Sequence, residues 1–412
     1  MFDVAVSCLV LTALFAYINH RYVRLPTTIG VMVIALLLSL ALLALDKLGI
    51  GVLHDYEVTL LQSLDFSTVL MQGMLSLLLF AGALQIDLHD LRRQGWKIAI
   101  LAIFGTATST ALIGLALWAL LPLVVIGLSL GYCLLFGALI SPTDPIAVMG
   151  ILKSAGAPRD LEVTIAGESL FNDGVGVVLF ILLLETLEPG GTPTFRHGLA
   201  MLAREAGGGL AFGLVLGYVT YRMLKSIDQY QVEILITLAA VMGGYALANR
   251  MHFSGPLAMV VVGIFIGNQG RAFAMSDHTR DHLDAFWELL DELLNSILFV
   301  LLGLEVALIT VVPGMPYAVV LTLIVTLVAR ATSVGLPVAV LPRVFRVPRG
   351  GWQILVWGGL RGGISVALAL SLPPGDDRSL ILALTYAVVV FSIVCQGATM
   401  EAFTRRALGA SD

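Results

Sequence analysis

Five charged side chains stand inside long apolar runs of this 412-residue chain: Asp144 in ALISPTDPIAVMG, Glu168 and Asp173 in AGESLFNDGVG, Arg330 in LVARATSVG and Arg361 in WGGLRGGIS. A charge at the centre of a membrane helix costs roughly 2.5–3.5 kcal/mol to insert, so the five represent on the order of 12–17 kcal/mol unless they pair or meet water. Three acids against two bases leave one carboxylate over, which is what a site for a movable cation needs. Two chemistries suit such a carboxylate: holding a hard cation among oxygen ligands, and taking up a proton when the cation is absent. Glu168, Ser169, Asn172 and Asp173 have helical spacing, so Glu168, Asn172 and Ser169 share a face and Asp173 lies one step around it.

The surroundings of Asp144 and Arg361 read as interruptions of helix. In Ser141-Pro142-Thr143-Asp144-Pro145 two prolines remove backbone donors and disfavour helix in the residues before them. Unwound backbone at that depth is tolerated in a membrane only where it is buried in protein or lines a cavity, and its freed carbonyls can ligate a cation. Around Arg361, Gly358, Gly359, Gly362 and Gly363 each weaken helix by about 1 kcal/mol relative to alanine. A second broken helix is expected there, with Arg361 compensating the carbonyl ends of a half-helix. Broken helices in corresponding positions of two halves point to a transporter of inverted repeats with its site at the midplane.

The elements that carry these residues follow from composition. The chain is 58% apolar and only 12% charged, with a mean hydropathy of +0.96, against about 25% charged in an ordinary soluble domain. That excludes a water-soluble globular protein and leaves no polar block for an appended soluble domain. With about 20 apolar residues needed per crossing, thirteen spans are expected: 1–19, 27–46, 66–86, 98–121, 125–152, 161–186, 199–221, 231–248, 256–268, 285–309, 317–341, 351–373 and 380–403. The first has no basic residue before it and Arg21 and Arg24 after it, so it reads as a retained helix and not as a signal peptide. An outside amino terminus leaves Lys47, Arg196, Arg204, Arg250 and Arg378 outside and gathers sixteen basic residues in the cytoplasm, which fixes an N-out, C-in orientation.

Other features carry less. Glu185, Glu233, Asp284, Glu288, Asp291, Glu292 and Glu305 fall near span ends and are expected to be solvated or interfacial. Cys8, Cys133 and Cys395 lie singly in apolar runs, as small core residues. No nucleotide fingerprint, phosphate-binding loop or metal-ligand spacing is present, so no cofactor, nucleic acid or enzymatic activity is expected and transport must draw on a gradient. The chain ends within about ten residues of the last span, so no cytosolic regulatory domain is expected.

Four runs resemble those of the cation/proton antiporters of the NhaP and sodium/proton exchanger type: Ser141–Pro145, Gly167-Glu168-Ser169-Leu170-Phe171-Asn172-Asp173-Gly174, Phe299-Val300-Leu301-Leu302-Gly303-Leu304 and Gly359-Leu360-Arg361-Gly362-Gly363. The resemblance implies an all-α inverted-repeat membrane fold in which two broken helices cross, with a transport core and a second domain that forms a homodimer. The corresponding division is 1–97 mainly dimerisation, 98–186 first core half with its break at 141–145, 187–309 dimerisation and linking helices, and 310–412 second core half with its break at 358–363.

By the same resemblance Asp173 binds cation or proton, Asn172 is its neutral neighbour and marks electroneutral one-for-one exchange, and Thr143, Asp144, Glu168 and Ser169 line or ligate the Na⁺ site. Arg330 is similar to an arginine that pairs with the Glu168 position, and Arg361 to the one at the second break. The implied substrates are a monovalent cation, Na⁺ and also Li⁺, and a proton, in a lipid bilayer that is a bacterial cytoplasmic membrane. Potassium preference and a pH-gated cation channel are the alternatives. A channel would need a continuous polar path, whereas the polar residues here cluster at one depth.

Overall fold

The computed structural model describes residues 2–49, 58, 73–124, 127–187, 203–308, 314–348 and 350–409. Parts of the first, third, fifth, seventh and tenth expected spans, with Arg196 and Arg349, lie outside the described residues. Every regular element among the described residues is helical. In chain order they are α1 (Phe2–Ile18), α2 (Thr27–Lys47), α3 (Leu75–Leu84), α4 (Leu88–Val124), α5 (Leu130–Ile140), α6 (Ile146–Ser154), α7 (Arg159–Leu187) and α8 (Gly208–Leu224). They continue with α9 (Tyr230–Arg250), α10 (Gly255–Phe273), α11 (Asp277–Leu304), α12 (Met315–Val340), α13 (Gly351–Trp357), α14 (Gly363–Leu370) and α15 (Asp376–Ala407). Eight helices among the described residues are long and apolar enough to cross a bilayer, and shorter apolar helices, such as α3 and α5, lie beside them. The protein is a polytopic membrane protein.

Both expected interruptions are present. Residues 141–145 separate α5 from α6, and residues 358–362 separate α13 from α14. Two boundaries differ from the sequence expectation because the hydropathy ruler registers only the apolar part of a helix. Asp87 caps α4 by accepting from the His89 and Asp90 amides (2.7 and 3.4 Å), so Arg92, Arg93 and Lys97 lie on the helix and not in a loop before it. Ser276 caps α11 through the Thr279 amide (3.3 Å), which brings Asp284, Glu288, Asp291 and Glu292 inside the helix and not at its end.

Packing gathers into two apolar clusters. One holds Phe136, Leu139, Phe299, Ile354, Leu360 and Leu384, and thus both broken helices. The other joins α3 with α8–α11 through Phe80, Leu84, Leu224, Tyr245, Met259 and Trp287, the Phe80 and Trp287 rings lying 4.5 Å apart between centroids. Helix α11 belongs to both: Leu283 and Trp287 enter the second cluster and Leu298–Leu304 the first. Two acids expected at span ends are buried and two more, Asp284 and Asp291, are half-buried. Glu305 is buried and accepts a hydrogen bond from the Tyr386 hydroxyl, and Glu233 is fully buried. Cys395, expected in the core, is exposed.

Candidate ion-binding site

The first break follows from proline chemistry. Pro145 has no amide to offer the Ser141 carbonyl, which a continuing helix would have bonded. Arg361 supplies the donor, its Nη1 reaching both the Ser141 and Pro142 carbonyls, the latter at 2.9 Å. The Asp144 amide donates to the Leu360 carbonyl (2.8 Å) and the Thr143 amide to Asn172 Oδ1 (3.2 Å). The two breaks therefore cross and complete each other's backbone hydrogen bonding, as burial away from water requires.

The second break is held in the same way. The Arg361 amide donates to Ser392 Oγ (2.9 Å), Ser392 Oγ donates to Gln396 Oε1 (2.8 Å), and Gln396 Nε2 reaches the Trp357 carbonyl (3.4 Å). Ser392–Gly397 is a π-helical segment of α15, an irregularity that recurs at functional positions. Arg330 donates bidentately to Glu168, one bond spanning 3.1 Å, and also to the Leu355 carbonyl at the end of α13 (2.9 Å). Each arginine thus covers the carbonyl end of one half-helix, where the dipole is negative. Freed carbonyls at the first break could ligate a cation, but those of Ser141 and Pro142 accept from the Arg361 guanidinium, in keeping with the compensating role expected of that arginine. Of the two bases, Arg330 meets the Glu168 carboxylate and Arg361 meets half-helix carbonyls.

Helix α7 divides its polar residues among three neighbours. Glu168 turns to Arg330; Ser169 and Asn172 turn to Thr143; Asp173 turns to a cavity. Thr143 Oγ1 lies 2.8 Å from Ser169 Oγ and accepts from Asn172 Nδ2 (2.9 Å), so these three side chains form a closed polar cluster. The cavity, about 90 Å³, has Thr143, Asp144, Asp173, Asp291, Asn295 and Ser365 among its polar lining and Leu75, Leu79, Leu170 and Leu298 among its apolar lining. Of the residues singled out in the sequence, Asp173, Asp144 and Thr143 line it, whereas Glu168, Ser169 and Asn172 lie behind them. Asp173 is 7% exposed and, among the described residues, makes no hydrogen bond or ion pair. No set of three His, Cys, Asp or Glu among the described residues has the geometry of a metal centre. Gly362 is required where it stands, since a Cβ there would come within 2.2 Å of an Asp144 carboxylate oxygen.

Sequence reasoning missed Asp291, Asn295, Ser392 and Gln396. For Asp291 a signal was present: it shares a 3–4 residue stripe with Asn295 and Leu298 on the helix that carries the Phe299–Leu304 run.

The family described as sodium/hydrogen exchanger, transmembrane, has a model that matches residues 10–406. The chain belongs to the sodium/hydrogen exchanger family. Among relatives of this exchanger, the Na⁺/H⁺ antiporter NhaP of Pseudomonas aeruginosa is 51% identical over 412 aligned residues, covering 98% of this chain and 97% of its own length. The Na⁺/H⁺ antiporter NhaH of Halobacillus aidingensis is 33% identical, with 97% and 96% covered. The sodium proton antiporter MjNhaP1 from Methanocaldococcus jannaschii, solved at pH 8, superposes with a TM-score of 0.75 at 19% identity, over 98% of this chain and 97% of its own, and shares the exchanger's fold.

Proposed function

We propose that this exchanger carries Na⁺, and also Li⁺, against H⁺ one for one, with cation and proton competing for Asp173. The observation that carries the reading is a buried carboxylate without a basic partner among the described residues, opening onto a cavity that Thr143, Asp144 and Asp291 also line. Bearing a cation or a proton, Asp173 is neutral and can be carried through the membrane interior. Vacant and ionised, it would bear the penalty of an unpaired buried charge. Empty crossings are thereby suppressed and the two fluxes are coupled without a separate gate.

Asn172 supports electroneutrality, because its carboxamide is engaged with Thr143 and adds no second titrating group. Thr143 and Asp144 supply further oxygens at the cavity, and Ser169 and Glu168 back them. The names of the relatives, Na⁺/H⁺ antiporters of matching length, support the choice of substrates. The reading includes a homodimer in a bacterial cytoplasmic membrane, with the amino terminus outside and the carboxyl terminus in the cytoplasm. Within it, residues 98–186 and 310–412 form the moving core.

The test is cation-dependent proton movement in proteoliposomes, with Na⁺, Li⁺ and K⁺ in turn and the membrane potential clamped or free. Exchange that ignores the potential and is lost in Asp173→Asn is expected. An Asp173→Asn protein that still exchanges would refute the assignment, and faster exchange with K⁺ than with Na⁺ would replace the substrate by potassium. Flux without counter-movement of protons would favour a channel.

A further inference from the structure

Helix α11 brings a second set of oxygen groups to the cavity. Asp284, Glu288, Asp291 and Asn295 are spaced four, three and four residues apart and form one stripe. Along it exposure falls from the exposed Glu288 through the half-buried Asp291 to Asn295, which is fully buried. Asp284 at the outer end is neutralised by Arg271. Asp291 and Asn295 line the same cavity as Asp144 and Asp173. Among the described residues Asp291 forms no salt bridge, and the charged side chains Asp144, Glu288 and Glu292 beside it are all acidic.

The independent observation is Asn295. Its side-chain amide donates to the Asp291 carbonyl (2.8 Å) and also hydrogen-bonds the Asp291 side chain, while its Oδ1 is buried and has no hydrogen-bond partner among the described residues. Leaving a buried acceptor unmade costs about 1–3 kcal/mol, and a hard cation with oxygen ligands would satisfy it.

We propose that Asp291 and Asn295 form a second cation-binding station, where a monovalent cation is held before it passes to Asp173. The inference rests on Asp173 as the exchange carboxylate. A carboxylate and a carboxamide oxygen on a different helix offer the arriving cation ligands in place of part of its water shell. The exposed Glu288 raises the cation concentration at the mouth, as one-signed charges in a cleft do.

The test is the Na⁺ dependence of exchange in proteoliposomes. Asp291→Asn is expected to raise the apparent KM for Na⁺ about tenfold with the maximal rate within about twofold, the signature of lost binding without lost turnover. That shift persists at high ionic strength set with choline chloride, because the site is sheltered, whereas any shift from Glu288→Gln disappears. Asn295→Leu, which removes the orphan oxygen without changing charge, raises KM in the same direction and carries the test if Asp291→Asn does not fold. An unchanged KM in the folded variant, or a shift in Asp291→Asn that salt abolishes, overturns the proposal. Wild-type protein without exchange would overturn the Asp173 reading and this inference together; exchanging wild type with unshifted variants overturns this inference alone.

Discussion

At the residue scale the buried Glu168–Arg330 pair bears most directly on stability. Both side chains are almost fully covered, and Arg330 also bonds the Leu355 carbonyl. Removing one member of such a pair strands the other, which typically costs about 3–5 kcal/mol, whereas replacing both by apolar groups can be nearly neutral. Arg330→Leu is therefore expected to lower the thermal unfolding temperature of the detergent-purified protein sharply, and Glu168→Leu with Arg330→Leu to recover most of the loss. Additive losses in the double variant would show that the pair is not coupled. The burial of these charges was legible because a charge inside an apolar run has no inexpensive surface to reach. That Arg361 would meet half-helix carbonyl ends was legible as well, but not that they would be those of the first break, because a carbonyl orphaned by Pro145 carries no charge in the sequence. Asp291 was hidden for a related reason. The first half of α11 is crowded with acids, and hydropathy reports their number without saying which one faces a cavity.

Among the elements, the two broken helices form one braced unit in which residues more than 200 positions apart complete each other's hydrogen bonds. Prolines and a glycine run announced where each helix stops. That the interruptions would cross had no local signal and came only with the resemblance to a family. The brace depends on the missing Pro145 amide. Pro145→Ala restores a donor that can close the helical bond to Ser141, competing with Arg361 and drawing α5 and α6 toward one continuous helix. Such a variant is expected to hold or raise its unfolding temperature while its exchange rate falls at least about tenfold, the usual exchange of stability against an irregular functional backbone. A Pro145→Ala protein exchanging at the wild-type rate would show that the unwound segment is dispensable.

For the whole molecule the position of the cavity matters more than its contents. Leu75, Leu79 and Leu170 belong to the cluster joined with α8–α10, while Leu298 belongs to the cluster of the broken helices. Ile364, just after the second break, packs against both. The cavity onto which Asp173 opens is thus lined from both apolar clusters, and under the alternating access proposed for this exchanger relative movement across that boundary would turn the carboxylate from one side of the membrane to the other. Fixing the boundary should stop the cycle without touching a charged residue. In a Cys395→Ser background, which removes the exposed native thiol and leaves the buried Cys8 and Cys133, Leu79→Cys paired with Ile364→Cys is expected to lose exchange on mild oxidation. Reduction should restore it, and either cysteine alone should remain active. Cation binding to the cross-linked protein should survive, because the ligands around Asp173 are intact and only their passage across is blocked. Full exchange by a quantitatively cross-linked protein would require that cation and proton pass Asp173 without movement across this boundary.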